Sequence, residues 1–345
     1  TDSNGDKLCD SCGRSLQVPG QTGDVYRIST KAELIWFAEH VNAGNKNASA
    51  VLTADIDMGG YTWKPIASTL SYHDTAVTDK GYTGTFDGQG HTISGLYYDS
   101  ASYGGGLFTY TGTKATIKNL KLTNSYIRST YGAEWSATGS VAAFVNGTDF
   151  VNVYSDAIID TNSGYTGGII GALDNKSVGT NASIEIINCV NNGTVSGWHC
   201  TGGITGILYV NDSAYLGEQT CVVTNCTNNG TVTGLGEYAG GMVGRVYYAL
   251  DAKFTGCINN GYVTGYSNIG GIIGHTTNSN TIMRVCQNNG NISTSTAEGC
   301  TAYAGGLIGI AAGLEVTNCQ NYGEIVVDSS VQRHLGTFYI GAIAG

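Results

Sequence analysis

Short segments with alternating apolar and polar residues recur along the chain, and five of them end in nearly the same eight residues. The five blocks read NCVNNGTV, NCTNNGTV, GCINNGYV, VCQNNGNI and NCQNYGEI, at 188–195, 225–232, 256–263, 285–292 and 318–325. A glycine-rich segment of the form GG-aliphatic-x-G follows each of the first four blocks, and GAIAG follows the last. Alternation with a period of two indicates β-strands that bury one face.

The apolar frame around each block extends toward the N-terminus. Apolar residues stand mostly five and three positions before each cysteine, and the same minus-three spacing precedes aliphatic residues upstream. The resulting slot is occupied by Leu96, Leu120, Val153, Cys189, Cys226, Cys257, Cys286 and Cys319. A unit of this length cannot bury a strand face alone, so neighbouring units must stack. The pattern therefore predicts an all-β protein, a right-handed parallel β-helix (solenoid) of about eight coils.

Stacked coils place equivalent residues in ladders. The asparagine two positions after the slot is expected to lie at a bend, where its amide can bond the next amide along the rod. The glycine that follows is expected to supply a positive φ. These residues are Asn191, Asn228, Asn259, Asn288 and Asn321, with Gly193, Gly230, Gly261, Gly290 and Gly323. At Gly139-Ser140 the glycine doublet is interrupted, which predicts a distorted third coil.

Residues 24–43 carry the one strong helix pattern. Ser29 or Thr30 can cap the helix, with Glu33 completing a capping box after Thr30. A helix here would cover the open end of the coils. We therefore predict a β-helix domain over 24–345, in which 24–60 form the capping helix and a strand leading into the coils, and 61–345 form the stacked coils. Residues 1–23 are predicted to be the end of an Asp- and Cys-rich linker.

Composition supports an elongated β-fold. The chain has 52 Gly, 2 Pro and 12% charged residues, with a formal net charge of −10. This charge argues against nucleic-acid binding, which needs clustered Lys and Arg. The absence of an apolar run of 18 residues argues against membrane insertion. Ten cysteines are compatible with disulfides between coils, but the shared slot with Leu and Val favours buried, reduced thiols. Cys200 and Cys300 fall outside the slot and could pair or stay free.

The N-terminal segment contains the candidate metal ligands. Asp2, Asn4, Asp6 and Asp10 alternate as in calcium-binding loops, although the full loop consensus is not met. Cys9 and Cys12 form one CxxC pair, which is half of a zinc site. Calcium, zinc and a linker without metal all remain open. No other cofactor is expected.

The order of the motifs carries a family resemblance. An amphipathic helix, LTADIDM at 52–58, a Trp-x-Pro-Ile at 63–66, GTFDGQGHTISGL at 84–96 and the GG-aliphatic-x-G repeats follow one another. This order resembles bacterial surface proteins with GLUG-motif repeats, and the repeat regions of secreted immunoglobulin-A peptidases. The resemblance spans roughly 24–345. It implies a right-handed β-helix in large extracellular proteins of gut or oral bacteria, generally associated with adhesion, with further domains in the same polypeptide.

Parallel β-helices also include polysaccharide lyases and hydrolases, which need converging carboxylates. Asp55 and Asp57 lie on one strand, and Asp87 and His91 flank a turn. Other polar candidates fall at different offsets in different coils: His199, Glu237, His275, Arg284 and His334. No position carries acids in three successive coils. A glycan-processing enzyme is therefore the alternative prediction, and whether the chain is an enzyme stays open.

Aromatic residues give the candidate binding surface. Tyrosines stand two positions before the glycine-rich segment in several coils, with Trp or Tyr nearby where the tyrosine is missing. A column of rings can be structural, or it can bind sugars or a host protein. Residues 128–138 form a second candidate as a protruding loop. The predicted surface comprises Tyr103, Tyr131, Trp135, Tyr165, Trp198, Tyr238, Tyr266, Tyr303 and Tyr339. The favoured function is a non-enzymatic extracellular module, adhesin-like or a rigid spacer, with host glycan, mucin or a surface protein as partner.

Overall fold

The computed structural model describes residues 7, 9, 15, 17–68, 81–174, 184–209, 220–247, 251–277, 280–294, 301–327 and 337–345. Within these ranges the chain is a parallel β-helix with one helix at its N-terminal end. Each complete coil crosses four sheets in turn, which we call sheets 1 to 4. Two of these sheets contain eight strands, in agreement with the predicted coil count.

Sheet 1 contains the strands on either side of the slot. The N-terminal part of the chain and the first coils contribute Gly20–Thr22, Val25–Ile28, Ser49–Leu52, Ile56–Asp57, Thr85–Asp87, Thr92–Ser94, Thr116–Thr123 and Asp149–Ser155. The later coils contribute two short strands each: Ile184–Ile187, Val190–Asn191, Thr220–Thr224, Thr227–Asn228, Asp251–Thr255, Ile258–Asn259, Asn280–Arg284, Gln287–Asn288, Leu314–Thr317 and Gln320–Asn321. All of these pairs are parallel except Gly20–Thr22, which runs antiparallel to Val25–Ile28.

The other three sheets complete each coil. Sheet 2 consists of Tyr97–Ser100, Tyr126–Ser129, Ile158–Thr161, Val195–Gly197, Val232–Gly234, Val263–Gly265, Ile292–Thr294 and Ile325–Val327. Sheet 3 consists of Gly104–Gly105, Ala137–Gly139, Tyr165–Gly167, Cys200–Gly202, Tyr238–Gly240, Asn268–Gly270, Thr301–Gly305 and Thr337–Gly341. Sheet 4 consists of Phe108–Thr111, Ala142–Val145, Ile170–Asp174, Thr205–Tyr209, Val243–Tyr247, Ile273–Thr277 and Ile308–Ile310.

Helix α1 spans Lys31–Asn42 and covers the first coil, as the sequence predicts. Thr30 is its N-cap, and the capping box with Glu33 is complete. The apolar stripe of the helix is buried, and the Phe37 ring packs against Tyr82 and Phe86 of the first coil. The predicted linker also contacts this cap: Gly20–Thr22 pairs with the first parallel strand, and Gln17 Nε2 donates to Glu33 Oε1 over 3.0 Å. The domain boundary at residue 23 stays a prediction.

The predicted slot exists from Leu120 onward. Leu120 pairs with Val153, and the slot residues are fully buried through Cys286, whereas Cys319 in the last coil is partly exposed. The assignment of Leu96 to the slot is wrong. Tyr97 pairs with Tyr126, so Leu96 lies beside Ser125 instead. Ile93 pairs with Leu122 and not with Ile117, so Leu96 lies five positions beyond the slot, and its minus-three spacing from Ile93 copies the slot pattern at another place in the coil.

The slot cysteines are free thiols, buried in every coil but the last, which agrees with the favoured prediction. Cys189, Cys226, Cys257, Cys286 and Cys319 are free, as are Cys200 and Cys221 outside this slot. Burial raises the pKa of Cys221 to about 12 and that of Cys200 further. The Cys221 and Cys200 thiols are therefore poor nucleophiles and poor metal ligands, and they act as small apolar side chains. Cys300 lies outside the described residues.

The asparagine ladder forms as predicted. Each buried amide donates from Nδ2 to Oδ1 of the next asparagine over 2.8 Å, from Asn191 through to Asn321. The same Nδ2 atoms also donate to the carbonyl of the glycine two residues later, at 2.9–3.0 Å. The ladder therefore ties five coils together inside the rod.

The predicted role of the following glycines is wrong. The positive φ belongs to the residue before the slot, at Asn119, Asn152, Asn188, Asn225, Gly256, Val285 and Asn318. Gly230 is needed for a different reason. A Cβ there would lie 1.8 Å from the carbonyl oxygen of Gly193 in the preceding coil, so no side chain fits. Close approach of neighbouring backbones, and not backbone conformation, explains this glycine.

The predicted distortion at Gly139-Ser140 is also wrong. Ala137–Gly139 pairs in register with the sheet 3 strands on both sides. In other coils the second glycine of the doublet abuts the ladder: a Cβ on Gly168 would lie 2.5 Å from Cγ of Asn191. One coil earlier the ladder position is occupied by Ser155, which pairs with Asn191. The smaller serine leaves space for Ser140, so the doublet can be interrupted without deforming the coil.

Candidate binding surface

The outward side chains of sheets 3 and 4 contact one another along the rod, and we call this region the cleft; several aromatic and charged residues predicted from the sequence lie in it. The chain turns sharply from sheet 3 to sheet 4 at the GG-aliphatic-x-G segment. A Cβ on Gly202 would lie 2.1 Å from the carbonyl oxygen of Thr205, and one on Gly206 would lie 2.5 Å from the amide nitrogen of Thr166. The motif therefore exists because the two strands pack backbone to backbone at the bend. Beyond the bend, the outward side chains of both sheets face one another.

Two columns of residues line this cleft. Sheet 3 contributes, in register, Ala137, Tyr165, Cys200, Tyr238, Asn268, Tyr303 and Tyr339. Sheet 4 contributes Tyr110, Phe144, Ala172, Ile207, Arg245, His275 and Ile310. The residues of the first coils form an apolar cluster that is separate from the main core. The cleft is thus apolar in its first half and carries charge in the middle coils.

The predicted aromatic column is only partly continuous. Tyr303 and Tyr339 stack with ring centroids 4.9 Å apart, in neighbouring coils. Cys200 and Asn268 separate the other tyrosines of the column, so these rings contact residues across the cleft instead. Tyr103 is not in the column at all, because Gly104 is the residue in register with Ala137. Its ring stacks on Phe144 of sheet 4 at 5.2 Å.

Exposure divides the predicted binding residues into two groups. Tyr165 is 7% exposed, and Tyr103, Tyr238 and Tyr303 are half-buried, so these rings form the floor of the cleft. The rings with 38–45% exposure stand on the turns between sheets 2 and 3, and we call them the aromatic rim. The rim consists of Tyr131, Trp135, Trp198 and Tyr266. Leu235, at 43% exposure, lies on the same edge and was not predicted. Tyr339, in the last coil, is also exposed.

Polar residues from different repeat offsets meet in the middle of the cleft. The guanidinium of Arg245 lies over two rings, 4.5 Å from the centroid of Tyr238 and 3.8 Å from that of Tyr247. His275 stacks on Tyr238 at 5.0 Å, and His199 meets the same ring edge-on at 5.3 Å. The sequence showed no common offset for the two histidines, because His275 approaches Tyr238 from sheet 4 of the next coil and His199 from a turn of the preceding coil.

The electrostatics of this group are set by burial and by Arg245. Burial, together with the positive charge of Arg245, lowers the pKa of His275 to about 4, so the imidazole is neutral at pH 7. Glu237 Oε2 lies 3.3 Å from Nε2 of His199, which makes a partly exposed ion pair when the histidine is protonated. Arg284, another of the candidates, lies elsewhere and pairs with Glu315 at 3.0 Å. His334 lies outside the described residues.

The acidic candidates for catalysis are engaged in local hydrogen bonds. Asp55 accepts from the backbone of Thr92 at 2.9 Å and lies 3.2 Å from His91. Asp57 accepts from the backbone of Gly59 at 2.8 Å. Asp87 accepts from the backbone and side chain of Gln89 and from Asn119, which holds the turn of the first coil. These contacts account for the three aspartates as structural residues. The enzyme alternative stays a prediction.

The structure describes little of the predicted metal site. Asp2, Asn4, Asp6, Asp10 and Cys12 lie outside the described residues, and Cys9 is half-buried. In the described part of the chain, no three His, Cys, Asp or Glu side chains are grouped closely enough to hold a metal ion. The calcium and zinc hypotheses at the N-terminus stay predictions.

A second depression, of about 480 Å³, lies on sheet 1 over the left-handed bend and was not predicted from the sequence. Asn119, Asn152 and Asn188 form its floor beside Lys121 and Tyr154. The three amides are joined in an outer ladder, with Nδ2 to Oδ1 distances of 2.9 and 3.0 Å. Because these amides bond one another, part of their hydrogen-bonding capacity is already used within the groove.

Comparisons with known proteins support the fold and indicate a context. No known protein-family profile matches the chain. A segment of 151 residues is 34% identical to halomucin of Haloquadratum walsbyi; it makes up 41% of the chain but about 2% of the length of halomucin. A crystal structure from Bacteroides ovatus, provisionally named an immunoglobulin A1 protease, superposes with a TM-score of 0.59 and 20% identity. The alignment covers 94% of this chain and 86% of that one.

The structural match shows the fold alone at this level of identity. None of the helices in the described ranges is long and apolar enough to cross a membrane. The predicted parallel β-helix is therefore confirmed, and its fold is shared with the Bacteroides ovatus protein.

Proposed function

We propose that the chain is a non-enzymatic β-helix module of an extracellular or cell-surface protein, and that it binds glycans or glycoproteins through the aromatic rim. The observation that carries the proposal is the exposure of Trp135, Trp198 and Tyr266 on one edge of a rigid rod. Exposed tryptophan and tyrosine rings give large contact areas with little loss of side-chain entropy on binding, which suits stacking on sugar rings.

Two further observations favour a surface location. The similarity to halomucin, although confined to a small part of that protein, links part of this chain to a protein whose name denotes a mucin-like molecule. The net charge of −10 spread over a rod favours solubility and disfavours adsorption to nucleic acid. A bacterial adhesin with GLUG-motif repeats, as the sequence resemblance implies, is the specific form of this proposal.

Binding of the isolated chain to a glycan array and to immobilised mucin tests the proposal. We expect Trp198→Ala to weaken binding, because it removes a ring that is 45% exposed on the rim. The matched control is Tyr262→Ala, which removes a ring of similar exposure between sheets 1 and 2, away from the rim. Equal binding by wild type and the Trp198 variant would contradict a role for the rim. Product formation from pectin, alginate or mucin in the same samples would instead favour the enzyme alternative.

A further inference from the structure

Arg245 occupies a position where the rest of its column is mostly apolar. In the three preceding coils the position is filled by Phe144, Ala172 and Ile207, and two coils later by Ile310. These side chains are largely buried against the sheet 3 column. A charged group in such a position loses hydration, and this loss is normally compensated by an ion pair or by hydrogen bonds.

The expected compensation is missing among the described residues. Nε of Arg245 is buried and has no hydrogen-bond partner, and no described carboxylate lies within ion-pair distance of the guanidinium. The Glu237 carboxylate is close enough for its charge to interact with that of Arg245, but it is not within ion-pair distance of the guanidinium and lies 3.3 Å from Nε2 of His199. The rings of Tyr238 and Tyr247 hold the guanidinium by cation–π contacts, which fix its position but accept none of its N–H groups. Native structures seldom leave such donors unpaired without a functional reason.

The surroundings of Arg245 favour an anion. His275, which follows Arg245 in the column, is neutral at pH 7, and the Cys200 thiol on the facing strand is protonated because burial raises its pKa. Neither group competes with an anionic ligand for the guanidinium. The fixed, planar guanidinium presents N–H donors in the arrangement that carboxylate and sulfate groups accept.

A chain of ring contacts joins Arg245 to the aromatic rim. Trp198 lies 6.0 Å from His199, His199 lies 5.3 Å from Tyr238, and Tyr238 lies under the guanidinium. We propose that Arg245 is the anion-binding centre of the cleft and takes the carboxylate or sulfate group of an acidic saccharide whose ring lies toward Trp198. The saccharide part of this inference rests on the proposed function; the anion site does not.

The test uses the whole chain, labelled with ¹⁵N, and four probes: N-acetylneuraminic acid, glucuronic acid, glucose 6-sulfate and glucose. We expect the three acids, and not glucose, to shift the Nε–H resonance of Arg245. The comparison of carboxylate with sulfate probes shows which anion the site prefers. Arg245→Ile is the decisive variant, because Ile207 and Ile310 show that the column accepts isoleucine. It should fold and should bind the acids at least tenfold more weakly.

Arg284→Gln is the matched control, since it removes one exposed arginine of sheet 1 and leaves the cleft intact. Circular dichroism melting checks that all variants fold. Unchanged affinity of the folded Arg245→Ile chain for the acids would overturn the inference. If Trp198-dependent binding to neutral mucin glycans persists while no acid shifts Arg245, the inference is wrong and the proposed function stands. If the acids shift Arg245 and lose affinity in Arg245→Ile but intact glycans do not bind, the anion site stands and the proposed function is wrong.

Discussion

The buried asparagine ladder should be a principal source of stability, and Asn228→Ala tests this directly. The side chain of Asn228 takes part in three hydrogen bonds. Nδ2 donates to Gly230 O at 2.9 Å and to Asn259 Oδ1 at 2.8 Å, and Oδ1 accepts from Asn191 Nδ2 at 2.8 Å. At a net contribution of about 1 kcal/mol for each bond, their loss costs about 3 kcal/mol. The residue is fully buried, so water cannot replace these partners without entering the rod.

The neighbouring asparagine provides the control. Asn229 Nδ2 donates to Asn192 Oδ1 at 2.7 Å, and its Oδ1 accepts from Asn260 Nδ2 at 2.7 Å. This third row of asparagines is exposed to solvent. Water can satisfy the partners that Asn229→Ala leaves behind, so we expect a loss below about 1 kcal/mol.

Urea denaturation followed by circular dichroism gives the free energies of unfolding of both variants and the wild type. The m-value must be compared as well, because solenoids can unfold in parts when a coil is weakened. A difference of less than about 0.5 kcal/mol between the two variants would refute the reasoning, since it would mean that burial adds nothing to the ladder.

Two further predictions follow from strained or buried single residues. Val285 is an exposed, β-branched residue in the left-handed backbone region, at φ 56°, so Val285→Asn should raise the free energy of unfolding by about 1 kcal/mol. The control Val326→Asn, in a strand of sheet 2, should lower the free energy of unfolding. A loss of stability in Val285→Asn would contradict the idea that the backbone at Val285 is strained. The pKa of His275 is lowered in the fold to about 4 from an ordinary value near 6.5, so the unfolded chain binds a proton more readily between these values. The contribution of His275 to stability is therefore complete above pH 6.5 and is lost as the pH falls toward 4. Urea titrations should show that the free energy of unfolding falls less between pH 7 and pH 4.5 for His275→Ile than for the wild type. Equal falls would contradict a neutral, buried imidazole in the fold.

The hydrophobic pattern was sufficient for the fold and for the ladders of the later coils. Identical spacing in 188–195 and 225–232 can be satisfied only by identical placement in stacked coils, so the asparagines and cysteines had to align. The frame failed at Leu96, because the pair Ile93 and Leu96 has the same spacing as Ile117 and Leu120 but lies five positions further along its coil, where Ile93 pairs with Leu122. The spacing within one pair of apolar residues cannot distinguish these two places in a coil.

The aromatic signal located the candidate surface but not its composition. Counting offsets from the glycine motif found Tyr238, Tyr303 and Tyr339, yet it also placed Tyr103 in a column to which the residue does not belong. Exposure separated the rim from the floor, and no sequence rule gives the exposure of a ring on a solenoid turn. Arg245 carried no signal, since one arginine in a strand is ordinary until its neighbours are known.

The sequence by itself therefore determined the coil, its repeat and the residues that stack from coil to coil, because these depend on spacing along one chain segment. Only the tertiary structure decided which glycines are required by close backbone contacts, and which side chains meet across the cleft. These contacts involve three coils, with Tyr238 on sheet 3, Arg245 and His275 on sheet 4, and His199 in a turn. Their proximity depends on the sharp bend between sheets 3 and 4, which brings together residues that no regular spacing along the sequence connects.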